Sequence, residues 1–197
     1  NIVEPQNVYN QQGADILRLW VVGSDYSEDL RIGPEILKQH ADVYRRLRNT
    51  LRFLLGNLNG FDDSEKLDIS EMPALERWVL NRIWGMDKLL RQACEEFAFH
   101  ALFTELHNFC ALDLSAFYFD IRKDSLYCDR MDDVRRRAAR TVLDILFDCL
   151  TAWLAPFICF SAEEAWLARH PNRVPGNSVH LRTFPDIPDT WRDDELA

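Results

Sequence analysis

Apolar residues along this chain recur mostly three and four positions apart, the spacing of helices that bury one face. Val8 to Val22 reads as a short helix carrying Leu17, Trp20 and Val21, broken at Gly23-Ser24-Asp25, with Ser27 to Gly33 a loop or sheet edge. Pro34 suits a first helical turn, because its fixed φ fits and its missing N–H is not needed there. It opens a long helix to about Leu58, where Asn59-Gly60 stops it. A polar, acidic connection from Asp62 to Met72 follows. Pro73 opens a second helix whose stripe is Leu75, Val79, Ile83, Met86, Leu90, Ala93 and Phe97. The third helix, about Ala98 to Asp124, carries Leu102, Phe103, Leu106, Phe109, Phe117 and Ile121. It is apolar nearly all round and is expected to be the most buried. Asp132 is placed to cap a fourth helix with Val142, Leu146, Cys149, Leu150 and Trp153 as its stripe, ended or kinked at Pro156. Ser161-Ala162-Glu163-Glu164 has the form of a capping box opening a short fifth helix to about Arg169. Residues 171–197, with four prolines, read as an extended tail.

Four long helices with short connections imply an all-α fold, an antiparallel bundle running up-down-up-down. The expected division is a mixed segment at 1–33, the bundle at 34–170 and the tail at 171–197. Composition agrees with a packed core: 47% of the 197 residues are hydrophobic and 28% charged. The longest uncharged, mainly apolar run, Cys149 to Phe160, is too short to span a bilayer and contains Pro156, so no membrane partner is expected. The five cysteines are widely and irregularly spaced without a C-x-x-C pair, which reads as reduced thiols of a cytoplasmic protein rather than a zinc or disulfide framework. His100, His107 and Cys110 share a helix, but no matched ligand pair stands on another segment, and no metal site is expected.

The net charge of −9 speaks against a nucleic-acid partner only if the charges are mixed, because phosphate is felt within a Debye length of about 8–10 Å. They are segregated. Arg31 to Arg52 holds six basic residues against Glu35 and Asp42, while the acids gather in Asp62–Glu71 and Asp186–Glu195. On the helix from Pro34, Val43, Leu47, Thr50, Leu51, Leu54 and Leu58 share one face; Arg45, Arg48, Asn49 and Arg52 share the opposite one, with Phe53 at the border. Arginine pairs with phosphate, an asparagine amide matches a base edge, and an aromatic ring stacks, so this face suits single-stranded RNA. The same stripe also reads as a plain solvated face. A second group, Arg135, Arg136, Arg137 and Arg140, opens the fourth helix against its dipole, with Asp132 and Asp133 as candidate counter-charges. In an up-down bundle this end meets the Arg52 end of the first long helix, and Arg122 and Lys123 arrive there too, so the clusters are expected to form one RNA site. Asp113 among apolar neighbours needs an arginine or backbone partner. No P-loop, dinucleotide fingerprint, nucleophile elbow or H-E-x-x-H occurs, so no catalytic residue is assigned.

Several stretches resemble the C-terminal half of class I aminoacyl-tRNA synthetases, and the isoleucyl family most specifically. Asn1-Ile-Val-Glu-Pro5 and Gly13-Ala-Asp-Ile-Leu-Arg-Leu-Trp20 are similar to the segment after that class's KMSKS loop. Ser24 to Gly33 is similar to the isoleucyl link into the bundle, and Tyr44-Arg-Arg-Leu-Arg-Asn-Thr-Leu-Arg-Phe-Leu-Leu-Gly-Asn57 to its first bundle helix, the most specific match. Asp113 to Asp120 with Lys123 to Tyr127, and Leu154 to Phe157 with Phe160 to Trp166 and Ser178 to Leu181, extend the resemblance over nearly the whole chain. Valyl enzymes place a tryptophan-rich run where this chain has Arg45 to Leu51.

The resemblance implies a stem-contact segment at 1–33 followed by an anticodon-binding bundle from an enzyme that joins isoleucine to tRNA(Ile) using ATP. It implies that ATP, magnesium and zinc belong to parts of that enzyme outside these residues, because the HIGH-like and KMSKS signatures and the cysteine-rich module do not occur here. The implied partner is tRNA(Ile), bound through Arg45, Arg48, Asn49, Arg52, Phe53, Arg122, Lys123, Arg135, Arg136 and Arg140. The chain is expected to be an inactive, monomeric, cytoplasmic part that binds no DNA. The alternatives are the same module of a valyl or leucyl enzyme, and a helical protein-interaction domain.

Overall fold

A computed structural model describes residues 3–25, 29–171, 174 and 176–196. Parts of the stretches discussed above lie outside the described residues: Asn1 and Ile2, and the first part of the Ser27–Gly33 loop together with Tyr26 and Glu28. The elements are α1 (Pro5–Gln12), α2 (Ala14–Val22), α3 (Pro34–Asn57), α4 (Ala74–Glu96), α5 (Phe99–Asn108), a π-helical stretch (Phe109–Tyr118), α6 (Phe119–Cys128), α7 (Val134–Leu154) and α8 (Cys159–Arg169). No strand occurs among the described residues. The all-α reading holds.

Helices α3, α4, the run α5–π–α6 and α7 form the bundle around one core, in which Leu47, Leu51 and Leu54 meet Val79, Ile83, Leu106, Leu146 and Trp153. Their directions alternate. The start of α7 meets the end of α3 through Arg140, and the start of α4 meets α6 through Glu76 and Arg122. The tail lies along α4, where Asn81 exchanges two hydrogen bonds with the Asp193 backbone and Trp84 Nε1 donates to Asp189.

Five expectations are corrected. The stretch from Val8 to Val22 is two helices, because Gly13 at φ 95°, ψ 155° leaves the helical region. Phe97 does not extend the α4 stripe. It closes α4 in the left-handed region (φ 57°) and is 65% exposed, while Ala98 N–H reaches back to the Ala93 carbonyl. Phe117 and Ile121 are exposed rather than buried. The π stretch holds more residues per turn than an α-helix, so beyond Phe109 the buried face slides to Leu114, Tyr118, Arg122 and Leu126. Asp133, not Asp132, caps α7, accepting from Arg135 N–H at 2.8 Å. Finally, Ser161 and Glu164 do not cap α8, which begins at Cys159.

The cap of α8 comes from another helix. Asp15 of α2 is buried and accepts from the N–H groups of Phe160 (3.2 Å) and Ser161 (2.9 Å) and from Ser161 Oγ (2.8 Å). Ser161 Oγ also meets the Tyr44 hydroxyl of α3 at 2.8 Å. One turn further along α2, Arg18 donates to the carbonyls of Pro156 and Phe157. An acid thus sits where helix N–H groups are unsatisfied, and a base where loop carbonyls are. The Asp15–Arg18 pair fastens α2 across the α7–α8 turn. It also accounts for both charged residues of the Gly13–Trp20 stretch.

Candidate nucleic-acid interface

The outward face of α3 follows from its inward one. With Leu47, Thr50, Leu51 and Leu54 buried, helical geometry turns Arg45, Arg48, Asn49 and Arg52 to solvent, and all four are exposed. Their charges are lightly held. Arg45 meets Asp42 at 3.0 Å and Arg48 meets Glu164 at 3.8 Å, with the arginine side chains 69% and 53% exposed. Such surface pairs contribute at most about 1 kcal/mol, which an incoming phosphate displaces readily. Asn49 and Arg52 have no side-chain partner among the described residues. Phe53 is half-buried and stacks on Phe119 with centroids 4.2 Å apart and planes 13° apart, so its ring is fixed at the edge of the face.

The second cluster comes to the Arg52 end of the bundle, with Arg122 and Arg140 turned inward and Arg135 and Lys123 at the surface. Arg140 is 4% exposed. Its guanidinium donates to the carbonyls of Asn57 and Asn59 and to the Glu65 carboxylate, and it lies 5.2 Å from the Phe61 ring centre. It closes the carbonyl end of α3, with Arg169 on the Leu58 carbonyl. Arg122, 9% exposed, binds Glu76 through two hydrogen bonds of 2.6 and 2.7 Å, and Tyr118 donates to the same carboxylate. Burial, with Glu76 alongside, pushes the Tyr118 phenol well up, so it stays a donor. Arg136 donates to the Asp129 carbonyl, and Arg137 to those of Glu65 and Lys66. Arg135 stands between Asp129 (3.5 Å) and Asp133 (3.6 Å), and Lys123 pairs with Asp120 at 2.7 Å. The hydrogen bond from the Arg135 backbone holds the Asp133 carboxyl below its ordinary range, so the acid stays charged as cap and counter-ion.

Asp113 has the partner expected of it, Arg82, at 2.6 Å. Cys110 is buried and its thiol is pushed up to about 12 by burial, with Asp113 adding to it, so it is neutral at physiological pH. Among the described residues no group of three or more His, Cys, Asp or Glu is placed to hold a metal, and no helix is long and apolar enough to cross a membrane.

Two residues beside this face are not among those expected from sequence. Gly56 continues the Asn49–Phe53 line by one turn, a spacing legible in the sequence. Tyr127, at the end of α6, is 66% exposed and faces Asn49, Arg52, Phe53, Gly56 and Asn57 across a shallow depression of about 420 Å³. Nothing in the spacing along one helix points to a residue on another.

The profile of the family described as the anticodon-binding domain of tRNA ligase matches residues 76–197, and the chain belongs to that family. Its relatives are isoleucine–tRNA ligases: it is 56% identical to that of Ruegeria pomeroyi over 98% of the chain, and 51% and 45% identical over its full length to those of Mesorhizobium japonicum and Pelagibacter ubique. The chain spans about a fifth of the length of these curated relatives (20%, 19% and 22%). Among solved structures, the Agrobacterium radiobacter K84 agnB2 LeuRS in its ternary complex with tRNA and LeuAMS superposes with a TM-score of 0.72. That match covers 98% of this chain and 22% of the other at 15% identity, and it shows the shared fold.

Proposed function

We propose that this chain holds the anticodon stem-loop of tRNA(Ile) as the anticodon-binding part of an isoleucine–tRNA ligase. The whole ligase would join isoleucine to that tRNA at the expense of ATP, in the cytoplasm. In this reading residues 1–33 are the stem-contact segment, 34–170 the binding domain and 171–197 a tail toward a further module. The chain itself is monomeric, binds no DNA, carries no cofactor and catalyses nothing. The observation that carries the reading is the α3 face, where Asn49 and Arg52 stand in solvent without a side-chain partner among the described residues, on a helix whose other face is buried. Arg45, Arg48 and Arg52 supply phosphate contacts and Asn49 a base-edge contact. Arg135 and Lys123, paired with acids, and Arg136, held on the Asp129 carbonyl, add little beyond that. Arg122 and Arg140 serve by closing the bundle beneath the face.

Asn49→Ala separates reading from holding. It is expected to lose about 1–3 kcal/mol against the cognate stem-loop and little against one with an altered anticodon. The fold should stay intact by circular dichroism, because Asn49 faces away from the core. An equal loss on both stem-loops, or a melted helix, makes Asn49 structural and removes it from the site.

A further inference from the structure

We propose that an apolar patch of Trp78, Leu112, Phe117 and Ile121 is the seat of the polypeptide segment that follows Ala197 in the whole ligase. This rests on the ligase reading and adds to it an internal contact surface. The patch is a product of the π stretch. Leu112, Phe117 and Ile121 stand five and four residues apart, and a stretch with more residues per turn than an α-helix keeps them in one line. All three are exposed, and so is Ala116 between them. Trp78 of α4, half-buried, meets Phe117 edge to face with ring centres 5.1 Å apart and carries the patch onto the neighbouring helix. The charged pair at its margin, Arg82 and Asp113, is already closed on itself at 2.6 Å. The bundle core does not use these side chains, since it takes Leu114, Tyr118 and Leu126 from the other side of the same run. Single apolar residues at a surface need no explanation, but several large ones together mark a contact.

The tail indicates what comes to the patch. It runs along α4 against the direction of the helix. The Pro185 carbonyl accepts from Arg91, the Asp189 carboxylate accepts from Trp84 with Lys88 2.9 Å away, and the Asp193 backbone is joined to Asn81. As the tail advances, its partners step back through Arg91, Lys88, Trp84 and Asn81, and Trp78 lies one turn further in that series. A helix rises about 1.5 Å per residue and an extended chain covers about 3.3 Å, so a few residues beyond Asp193 bring the chain level with Trp78. The ligase reading supplies polypeptide to continue that course, since this chain spans 20% of the length of a relative. A segment laid next on Trp78, Phe117 and the Leu112–Ile121 line extends a contact that the tail already makes.

The test follows alkylation of Leu112→Cys and Ile121→Cys by N-ethylmaleimide, read peptide by peptide by mass spectrometry to separate these thiols from the native ones. It compares this chain, the same chain lengthened by the next roughly 30 residues of its parent (enough for a helix of about 45 Å), and the whole ligase. Asn49→Cys reports on the α3 face in parallel, with and without the anticodon stem-loop, and circular dichroism checks each fold. Leu112→Cys and Ile121→Cys are expected to react freely in this chain, where both positions are exposed. In the lengthened chain and the whole ligase they should react at least about ten-fold more slowly, because the thiol must be reached to react, and the stem-loop should not alter their rates. Asn49→Cys should slow only when the stem-loop is added. Free reaction of Leu112→Cys and Ile121→Cys in the whole ligase overturns the proposal. Protection that appears only in the whole ligase, or only with the stem-loop, overturns it too, since another part of the enzyme or the RNA then covers the patch. The RNA-binding reading stands through each of these results if the stem-loop slows Asn49→Cys, and falls if it does not.

Discussion

The arginines of α3 and those at the start of α7 look alike in the sequence, and Arg52 comes to the same end of the bundle as the α7 group, yet the fold surrounds the two groups differently. Arg45, Arg48 and Arg52 project into water with weak partners or none among the described residues. Arg140 is enclosed, Arg136 and Arg137 hold backbone carbonyls, and Arg135 sits between two aspartates. The difference lies in the partners. The end of α3 presents carbonyls without helical partners, and the acidic connection after it brings Glu65 to the same place, so a guanidinium arriving on α7 satisfies both. A charge is open to an outside phosphate only where the fold has not already surrounded it with oxygen.

Removing one arginine from each group breaks the comparison most sharply at Arg140. Arg140→Ala strands the Glu65 carboxylate, the last α3 carbonyl at Asn57 and the Asn59 carbonyl in the turn after it, and is expected to destabilise the protein by about 3–5 kcal/mol. Thermal unfolding should show a fall of roughly 10 °C or more. A variant within 1 °C of wild type would return Arg140 to the pool of charges available for RNA. Asp15→Ala extends the same logic to an acid. Loss of the α8 cap should cost about 2 kcal/mol, seen as a lower denaturation midpoint with an unchanged m-value. If the midpoint does not move, α2 is not fastened through Asp15.

The smallest effect is on pH. Burial, and next to it the charge of Arg46 on α3, lowers the His107 pKa from its ordinary 6.5. The unfolded chain then takes up the proton more readily than the folded one. The stability His107 contributes is full above about pH 6.5 and is lost as pH falls from there toward its folded value. Arg46→Ala should narrow that gap and make the decline shallower, read from denaturation midpoints between pH 7 and pH 5. An unchanged decline would mean that Arg46 does not act on His107.

Much of the bundle was legible because its helices obey local rules. α3 was expected over Pro34 to about Leu58 and runs Pro34–Asn57, because proline, a buried leucine stripe and Asn59-Gly60 all act within a few residues. What was not legible acts across the chain or alters the period itself. The π stretch moves the buried face off the 3.6 spacing, so Phe117 and Ile121 read as core and are surface. The cap of α8 lies on α2, far from Ser161 in sequence. The candidate site divides the same way. The α3 face follows from periodicity alone, whereas Tyr127 and the internal partners of Arg122 and Arg140 follow only from how helices meet.

The most direct test of this division is a side-by-side titration of the anticodon stem-loop across a range of salt with wild type, Arg52→Ala and Arg135→Ala, two exposed arginines that differ in their partners. Arg52→Ala is expected to weaken binding and to reduce the log–log salt slope by about 0.7, one phosphate contact on a single strand. Arg135→Ala should leave slope and affinity near wild type, because Arg135 stands between two acids, Asp129 and Asp133, where Arg52 has none among the described residues. Equal losses from the two variants, or a larger one from Arg135→Ala, would contradict the account.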